Sequence, residues 1–337
     1  MFSGQERRMR LESSREEPRP ILVTGGNRTG TSWVGKMLIL SGRLFTVWEP
    51  FNHLIPVPAF LPSHPLSRHY HRVQPADSRR MRRFIKGKML LDIVRMQPRR
   101  SGVLGMTRKA FDSARTMLSY VAGRRQPVFK DPIALMSAEW MAHEFSARVL
   151  MLVRHPAAYV ASVKRLGWRT PVEDFTVQEG LMDWLPSYLA EELLARQSER
   201  PEPSEGHFDL SDAALCWKVF HETVHIYRQQ HTEWIMERHE DLSLEYLPRF
   251  RSLYRRMGLP WGNGQEDAIR KHCSSRNRLV RGDVVHEFRQ DSAALTTAWM
   301  ESLEAEEVDQ VRRITSPVWQ RFYSPDSWTG HFETKFE

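Results

Sequence analysis

The 337-residue chain is long enough for one large α/β domain or two small ones with a substantial core. It carries 49 Lys and Arg residues against 41 Asp and Glu residues, with a pI near 9.6, which favours an anionic ligand. Nucleic-acid binding is only weakly supported, because this excess is modest and the arginines are scattered. The two cysteines, Cys216 and Cys273, form neither a disulfide framework nor a zinc site.

The N-terminal residues 1–19 are charged throughout and lack the apolar core of a signal peptide. We expect them to form a flexible basic tail. No apolar run approaches the ~20 residues that a membrane span requires. The sequence therefore favours a cytoplasmic protein without a membrane span.

The first predicted element is an apolar strand, Ile21–Val23, which leads through a glycine-rich turn into a helix at about Thr31–Ser41. Glycines let successive backbone N–H groups point into one concavity, and a helix N-terminus adds partial positive charge. Arg28 places a cation inside the turn, and Thr31 and Ser32 add hydroxyl donors. This order of residues predicts a phosphate-binding loop rather than an ordinary turn.

The spacing from Gly25 to Gly30 matches the first part of a P-loop, G-x-x-x-x-G. A nucleotide triphosphatase would follow the second glycine with Lys and then Ser or Thr. Here Thr31 occupies the lysine position, and the cation is Arg28 within the loop. The loop alone leaves open which phosphate it binds.

Charged residues follow the next two predicted strands. The strand Leu44–Trp48 ends at Glu49, and the strand Pro127–Lys130 is followed by Asp131. Residues 52–126, which lie between these strands, are rich in Pro, His and Arg. An insertion of this length suggests a lid or an acceptor-binding segment, with a solvated positive face as the alternative.

The most apolar strand is Ala147–Val153, as expected of a parallel strand that is buried on both faces. A further short strand is predicted at Glu233–Met236. Strands that alternate with helices indicate an α/β fold with a central parallel sheet flanked by helices. Helices are predicted near residues 79–95, 109–121 and 134–144, from Pro156, at Ser211–Gln230, at Leu247–Met257 and within Leu303–Tyr323.

A second constellation follows the strongest strand. A nucleotide triphosphatase needs a carboxylate at the end of a core strand to hold Mg²⁺, but this strand is followed by Arg154. Arg154 can clamp a phosphate with two N–H groups. Ser162, about two helical turns into the next helix, can face the same side. One guanidinium and one hydroxyl form a minimal grip on a terminal phosphate.

These two motifs resemble those of sulfotransferases that use 3′-phosphoadenosine 5′-phosphosulfate (PAPS). The run Arg28–Trp33 is similar to their 5′-phosphosulfate loop in the form typical of bacterial and carbohydrate-type members. Arg154 with Ser162 is similar to their 3′-phosphate motif, and Lys130–Pro132 also has a frequent bacterial counterpart. Glu240–Leu242 resembles a Tyr-Glu-Asp-Leu segment, although His239 replaces the tyrosine.

The resemblance implies a P-loop-like fold, with residues 20–337 as a single sulfotransferase domain. It also implies that PAPS is the co-substrate, that 3′-phosphoadenosine 5′-phosphate (PAP) is the product, and that no metal is required. Late basic residues would close over the 3′-phosphate, with Arg276, Arg278 and Arg281 as candidates. The other implied donor-binding residues are Arg28, Thr29, Gly30, Thr31, Ser32 and Trp33 for the 5′ side and adenine, and Arg154 and Ser162 for the 3′-phosphate.

The acceptor must lose a proton, which requires a general base near the sulfur. Glu49 is the first candidate, because a strand end at the carboxyl edge of a sheet is where ligands bind. Asp131 is the second candidate and His53 the third. Lys130 is expected to supply a second charge at the transferring group.

The expected acceptor is a hydroxyl or amine of a carbohydrate, lipid or small molecule. Aromatic residues within residues 167–208 are candidates for its pocket, but their spacing distinguishes neither the acceptor nor the oligomeric state. Two other functions stay open at this point. One is a P-loop ATP-dependent kinase, and the other is a non-catalytic polyanion-binding module, suggested by the pI and the arginines near residues 79–100.

Overall fold

The computed structural model describes residues 19–58, 62–95, 103–170, 172–199, 207–273 and 292–333. These residues contain a five-stranded sheet with the strand order β2-β3-β1-β4-β5, in which every neighbouring pair is parallel. The predicted α/β class, with a central parallel sheet flanked by helices, is confirmed. The strands are β1 (Ile21–Thr24), β2 (Leu44–Trp48), β3 (Gln126–Lys130), β4 (Arg148–Val153) and β5 (Ile235–Arg238).

Helices connect the strands and cover both faces of the sheet. Within the described ranges, none is long and apolar enough to cross a bilayer. Short 3₁₀ helices occur at Pro132–Ser137, Ala294–Thr296, Ala298–Glu301, Val318–Arg321 and Pro325–Thr329. The α-helices are α1 (Thr31–Ile39), α2 (Pro75–Arg95), α3 (Val103–Val121), α4 (Ala138–Phe145), α5 (Pro156–Arg165), α6 (Glu173–Thr176), α7 (Glu179–Met182), α8 (Ser187–Ser198), α9 (Leu210–Gln230), α10 (His239–Leu244), α11 (Tyr246–Arg256), α12 (Asn263–Cys273) and α13 (Ala305–Thr315).

The sheet brings the ends of distant chain segments to one edge. Val23 of β1 is level with Lys130 of β3 and Leu150 of β4, and Lys130 is in turn level with Trp48 of β2. Because all strands run in the same direction, their carboxyl ends share one edge, where ligands bind in open α/β sheets. The residues that follow the strands therefore gather there.

Burial on both faces explains the apolar strands. All four residues of β1 and five of the six residues of β4 are buried. A larger apolar cluster on one face includes Phe129, Trp217 and Phe220, and a smaller cluster includes Val34 and Phe250. The sheet is thus packed between two apolar clusters, which hold its strands in place.

The described part of the predicted insertion contains a pair of helices beside the edge strand β2. The carboxylate of Asp92 in α2 accepts a hydrogen bond from the backbone N–H of Trp48 at 2.9 Å. The ring of Tyr120 in α3 lies 5.5 Å from that of Phe45 in β2. The helix pair thus covers an edge that would otherwise be open to pairing. Its role as a lid or acceptor-binding segment stays a prediction.

Some element bounds differ from the sequence prediction. Strand β5 lies two residues beyond Glu233–Met236, because Glu237 and Arg238 are buried within it and have charged partners. A 3₁₀ helix precedes the helix predicted near residues 134–144, because the Asp131 side chain caps Ile133 and Ala134. Three helices, α6 to α8, lie within residues 167–208, for which no helix was predicted from the sequence.

Candidate functional site

The glycine loop, residues 25–30, is shaped by an unusual run of backbone conformations. Gly25, Gly26, Arg28 and Gly30 all have positive φ angles, between 59° and 135°. A Cβ atom on Gly25 would lie 2.1 Å from the carbonyl oxygen of Leu152, so the loop can approach β4 only with glycine there. Turns of this kind point backbone N–H groups inward and form an anion-binding concavity.

Helix α1 begins where the loop ends. Gly30 precedes it in a left-handed conformation and provides no side-chain cap, and the first intrahelical bond runs from Val34 N–H to the Gly30 carbonyl at 3.1 Å. The N–H groups of residues 31–33 therefore have no acceptor within the helix. The helix N-terminus adds positive charge to the loop, as the sequence predicted.

Two predicted arginines meet beside the loop. The Arg28 Nε donates to the Ser162 Oγ at 2.9 Å, and an Arg154 guanidinium N–H donates to the Arg28 carbonyl oxygen at 2.8 Å. Arg28 also lies 5.5 Å from the centre of the Trp168 ring. The structure thus brings Arg28, Arg154 and Ser162 into one cluster, although 134 residues separate Arg28 from Ser162.

Burial and neighbouring arginines act against the charges of Arg28 and Arg154, and the carboxylate of Glu240 offsets this in part at Arg154. Burial, followed by the nearby charges of Arg154 and Arg165, lowers the pKa of Arg28 to about 10. Burial also lowers the pKa of Arg154. Neither arginine forms an ion pair with a carboxylate among the described residues, and the buried Arg154 Nε has no hydrogen-bond acceptor there. A bound dianion would supply both the acceptor and the charge.

Glu49 and Lys130 form an ion pair at the ends of β2 and β3. The backbone N–H of Glu49 donates to the Lys130 carbonyl at 3.0 Å, and the Lys130 Nζ donates to the Glu49 carboxylate. Asn52 donates to the other carboxylate oxygen at 2.8 Å. The ammonium also lies 3.9 Å from the centre of the Trp48 ring. Both side chains are largely buried, which favours a fixed geometry.

Asp131 is inside the protein rather than at the surface of the site. Its carboxylate accepts backbone N–H groups of Phe51 at 2.6 Å, Ile133 at 2.9 Å and Ala134 at 3.2 Å. Burial, with the charge of Glu49 second, raises the pKa of Asp131 to about 7 despite these donors. The geometry gives Asp131 a structural task, and a role as a base stays a prediction that requires the site to open.

His53, the third candidate base, lies among other histidines. Its ring is 4.5 Å from that of His69, which is paired with Asp174 at 3.4 Å. Burial and the neighbouring His69 lower the pKa of His53, so its ring is neutral at pH 7. This places the imidazole directly after the turn that holds Glu49 and its partner Asn52.

The region that resembles the Tyr-Glu-Asp-Leu segment lies directly beneath the glycine loop. A Cβ atom on Gly30 would lie 2.5 Å from the His239 ring, and the Trp33 ring is 5.4 Å from that same ring. Glu240 accepts the His155 backbone N–H at 3.0 Å and the Tyr323 hydroxyl at 2.8 Å. Contact between Trp33 and adenine stays a prediction. The predicted arginines Arg276, Arg278 and Arg281 lie outside the described residues.

The sequence did not identify two contributors to the Glu49–Lys130 pair. Trp48 precedes Glu49, but only the pairing of β2 with β3 shows that its ring meets the Lys130 ammonium. Asn52 lies three residues after Glu49, a spacing at which a turn brings both side chains together. Among the described residues no group of three or more His, Cys, Asp or Glu side chains could hold a metal ion.

No protein-family model and no curated protein matches this chain. Solved structures similar to it include sulfotransferases. A sulfotransferase domain from the curacin biosynthetic pathway is 14% identical, with 91% of this chain and 99% of that chain covered and a TM-score of 0.43. A sulfotransferase domain from the Synechococcus PCC 7002 olefin synthase is also 14% identical, with 92% and 97% covered and a TM-score of 0.41.

Mouse sulfotransferase SULT7A1, solved in complex with PAP, is 9% identical to this chain. The match covers 97% of this chain and 92% of the mouse chain, with a TM-score of 0.42. All three proteins are described as sulfotransferases, the family that the two phosphate motifs resemble. The function of this chain is argued below from its own residues.

Proposed function

We propose that this protein transfers a sulfuryl group from PAPS to a hydroxyl or amine acceptor. The observation that carries the proposal is the arginine cluster beside the glycine loop. Two half-buried arginines lie together without an ion-paired carboxylate among the described residues, and the buried Nε of Arg154 has no acceptor there. A ligand with two separate anionic groups complements this charge, and PAPS carries such groups at its 5′ and 3′ positions.

The donor would be bound from both ends. Arg28 and the backbone N–H groups of Thr29, Gly30, Thr31 and Ser32 would hold the 5′-phosphosulfate. Arg154 and Ser162 would hold the 3′-phosphate. Because the Ser162 hydroxyl accepts from Arg28 and Arg154 donates to the Arg28 carbonyl, binding at one end would orient the other.

The transfer itself would be an in-line displacement. A bond forms between the acceptor oxygen or nitrogen and sulfur, while the bond from sulfur to the bridging phosphate oxygen breaks. The electron pair goes to the 5′-phosphate and gives PAP. Glu49 would take the acceptor proton, and Lys130 would stabilise the charge that develops on the bridging oxygen. Their ion pair would have to separate as the substrates bind.

A kinase mechanism receives less support from the same edge. Arg154 follows β4, where a nucleotide triphosphatase would carry a metal-binding carboxylate. The other candidate, Asp131, is fully buried and already accepts three backbone N–H groups. Among the described residues, the side chain that reaches the glycine loop from the end of β4 is the cation of Arg154, which favours a metal-independent transfer.

Calorimetric titration tests the donor assignment. We expect PAP to bind without magnesium and ATP with magnesium to bind more weakly. Arg154→Ala should weaken PAP binding by roughly thirtyfold, because a charge-assisted contact contributes about 2 kcal/mol. Adenosine 5′-phosphate, which lacks the 3′-phosphate, should bind the variant and the unchanged protein equally well.

Three results would contradict this assignment. Preference for ATP with magnesium would favour the kinase function. Unchanged PAP affinity in Arg154→Ala would remove Arg154 from the 3′-phosphate site. Equal loss of affinity for PAP and for adenosine 5′-phosphate would mean that the substitution disturbs the loop through the lost bond to Arg28. Arg154→Lys, which keeps the positive charge, then separates the effect of charge from the effect of loop structure.

A further inference from the structure

The outer surface of the α2–α3 helix pair combines exposed apolar and basic side chains. Phe111 is 67% exposed, Leu118 70% and Val121 77% on α3, and Leu90 is 48% and Val94 51% exposed on α2. These are five of the twelve large apolar side chains that are exposed in the described part of the chain. Such clustering marks an interaction surface, whereas single exposed apolar residues need no explanation.

Helical spacing aligns these residues into stripes. Four exposed residues follow one another at intervals of four, three and four residues: Phe111, Arg115 and Leu118 on α3, and Ala122 directly after it. That spacing places them on one face of the helix. The opposite side of α3 includes Tyr120, which packs against Phe45 of the edge strand. The exposed stripe therefore points away from the sheet.

The same surface is positively charged. Every fully exposed charged side chain in residues 75–94 and 109–124 is a cation, whereas the aspartates there are half-buried or buried. On α2 the cations continue the stripe of Leu90 and Val94 toward the helix N-terminus at the same helical spacing. The exposed cations are Arg79, Arg80, Arg83, Lys86, Arg115 and Arg124, together with Arg82, which is paired with Glu144 at 2.7 Å.

We propose that this face, the exposed surface of α2 and α3, docks on an anionic lipid bilayer. An amphipathic helix with Phe and Leu beside Arg lies in the membrane interface, where the apolar side chains insert and the cations meet anionic headgroups. A second copy of this chain fits less well, because Arg115 would meet cations without an exposed carboxylate to pair with. The proposal is independent of the donor site.

Vesicle co-sedimentation of the full chain tests the proposal. Vesicles of phosphatidylcholine alone are compared with vesicles that contain roughly a third phosphatidylglycerol, at low and high salt. We expect binding to the anionic vesicles only, weakened by salt. Arg115→Gln with Arg124→Gln should lower the partition constant roughly thirtyfold, as expected for two interfacial cations. Phe111→Ser with Leu118→Ser should lower it by at least roughly tenfold.

Two matched control variants carry the same types of substitution outside this face. Val177→Ser with Leu194→Ser removes side chains that are 53% and 52% exposed outside this face. Arg251→Gln with Arg255→Gln removes two exposed cations of α11, which packs in the apolar cluster of the opposite sheet face. Both control variants should keep the vesicle affinity of the unchanged protein. Circular dichroism and thermal unfolding check that every variant is folded.

Three results would overturn the proposal. Absence of binding to anionic vesicles at low salt, or equal loss in the control variants, would show that the face has no specific affinity for lipid. If the protein instead binds no vesicles and forms a dimer that Leu118→Ser dissociates, the face is an interface between two copies.

Discussion

At the scale of single residues, the position of Glu49 supports its proposed role as the general base. Its backbone has a positive φ of 42°, and its carboxylate is held from two sides by Lys130 and Asn52. Conformations of this kind cost energy in residues other than glycine, and they concentrate at functional sites. The turn therefore presents a carboxylate at the edge where the proposed transfer takes place.

We expect Glu49→Gln to lower turnover by a factor of roughly 100 or more, because it removes the proposed general base. PAP affinity should stay the same, since the change lies away from Arg28 and Arg154. Release of PAP from PAPS, measured with an acceptor found by screening sugars, lipids and phenols, gives the turnover. Calorimetry gives the affinity.

Glu306→Gln is the matched control, because Glu306 is an exposed carboxylate on α13. Normal turnover in Glu49→Gln would remove Glu49 as an essential base and leave Asp131 and His53 as candidates. Loss of PAP affinity in the same variant would mean that the Glu49–Lys130 pair organises the donor site.

At the scale of elements, Asp131 links three segments. It follows β3, caps the 3₁₀ helix Pro132–Ser137 and bonds to the backbone of Phe51 beyond β2. We expect Asp131→Ala to lower the free energy of unfolding by about 3 kcal/mol, because three buried N–H groups lose their acceptor. Chemical denaturation measures the change, and Asp267→Ala at an exposed position of α12 should cost less than about 0.5 kcal/mol.

Stability and turnover measured on the same variant separate a structural role of Asp131 from a role as the general base. A structural carboxylate predicts that Asp131→Asn loses stability while the remaining folded protein turns over normally. If Asp131→Asn instead folds with unchanged stability and has no turnover, Asp131 is the base and the structural assignment fails.

Local patterns were sufficient to predict the glycine loop, α1 and β4, because each depends on neighbouring residues. The apolar run of β4 and the spacing of Gly25 and Gly30 needed no tertiary information. Strand β5 was misplaced, because the buried Glu237 and Arg238 look like surface residues until their partners are known. Neighbour relations across strands, such as Trp48 over Lys130, likewise need the sheet order.

For the candidate site, the motifs identified Arg28, Arg154 and Ser162 but not their arrangement. The bond from Arg28 to Ser162 joins two crossover connections on either side of β4, so no spacing within one segment predicts it. The sequence also did not predict the burial of Asp131, because residues at strand ends can face either solvent or the interior. Its three N–H partners come from two different segments.

At the scale of the whole molecule, the C-terminal segment closes over His155. The ring of His155 is buried against Trp299 at 5.3 Å, Tyr323 at 5.1 Å and Trp328 at 4.6 Å. Neither ring nitrogen has a hydrogen-bond partner among the described residues. Burial, then the charges of Arg154 and Arg238, lowers the pKa of His155 to about 3.

This makes the fold sensitive to acid. The folded-state pKa lies below the unfolded value of about 6.5, so the unfolded chain takes up the proton first as the pH falls. Above pH 6.5 the ring is neutral in both the folded and the unfolded chain and does not affect stability. As the pH falls from 6.5 toward 3, protonation of the unfolded chain progressively lowers the free energy of unfolding. Between pH 6.5 and pH 4.5 the unchanged protein should lose about 2–3 kcal/mol more than His155→Phe.

Denaturant titrations across this pH range measure the difference between the two proteins. His207→Phe is the control, because His207 is exposed and its loss should leave the pH profile unchanged. Parallel profiles for His155→Phe and the unchanged protein would show that the buried ring does not govern acid unfolding.

The strand order has a consequence for how far donor and acceptor must reach. Glu49 follows β2 and Arg154 follows β4, and β3 and β1 lie between these strands. Three strand spacings therefore separate the two residues. That is about 14 Å, because neighbouring strands lie about 4.8 Å apart. The sheet therefore sets the distance between Glu49 and Arg154. If the donor is held at Arg154 and its sulfuryl group is to reach an acceptor beside the proposed base Glu49, donor and acceptor together must extend across the strands, and the strand order sets the distance that they span.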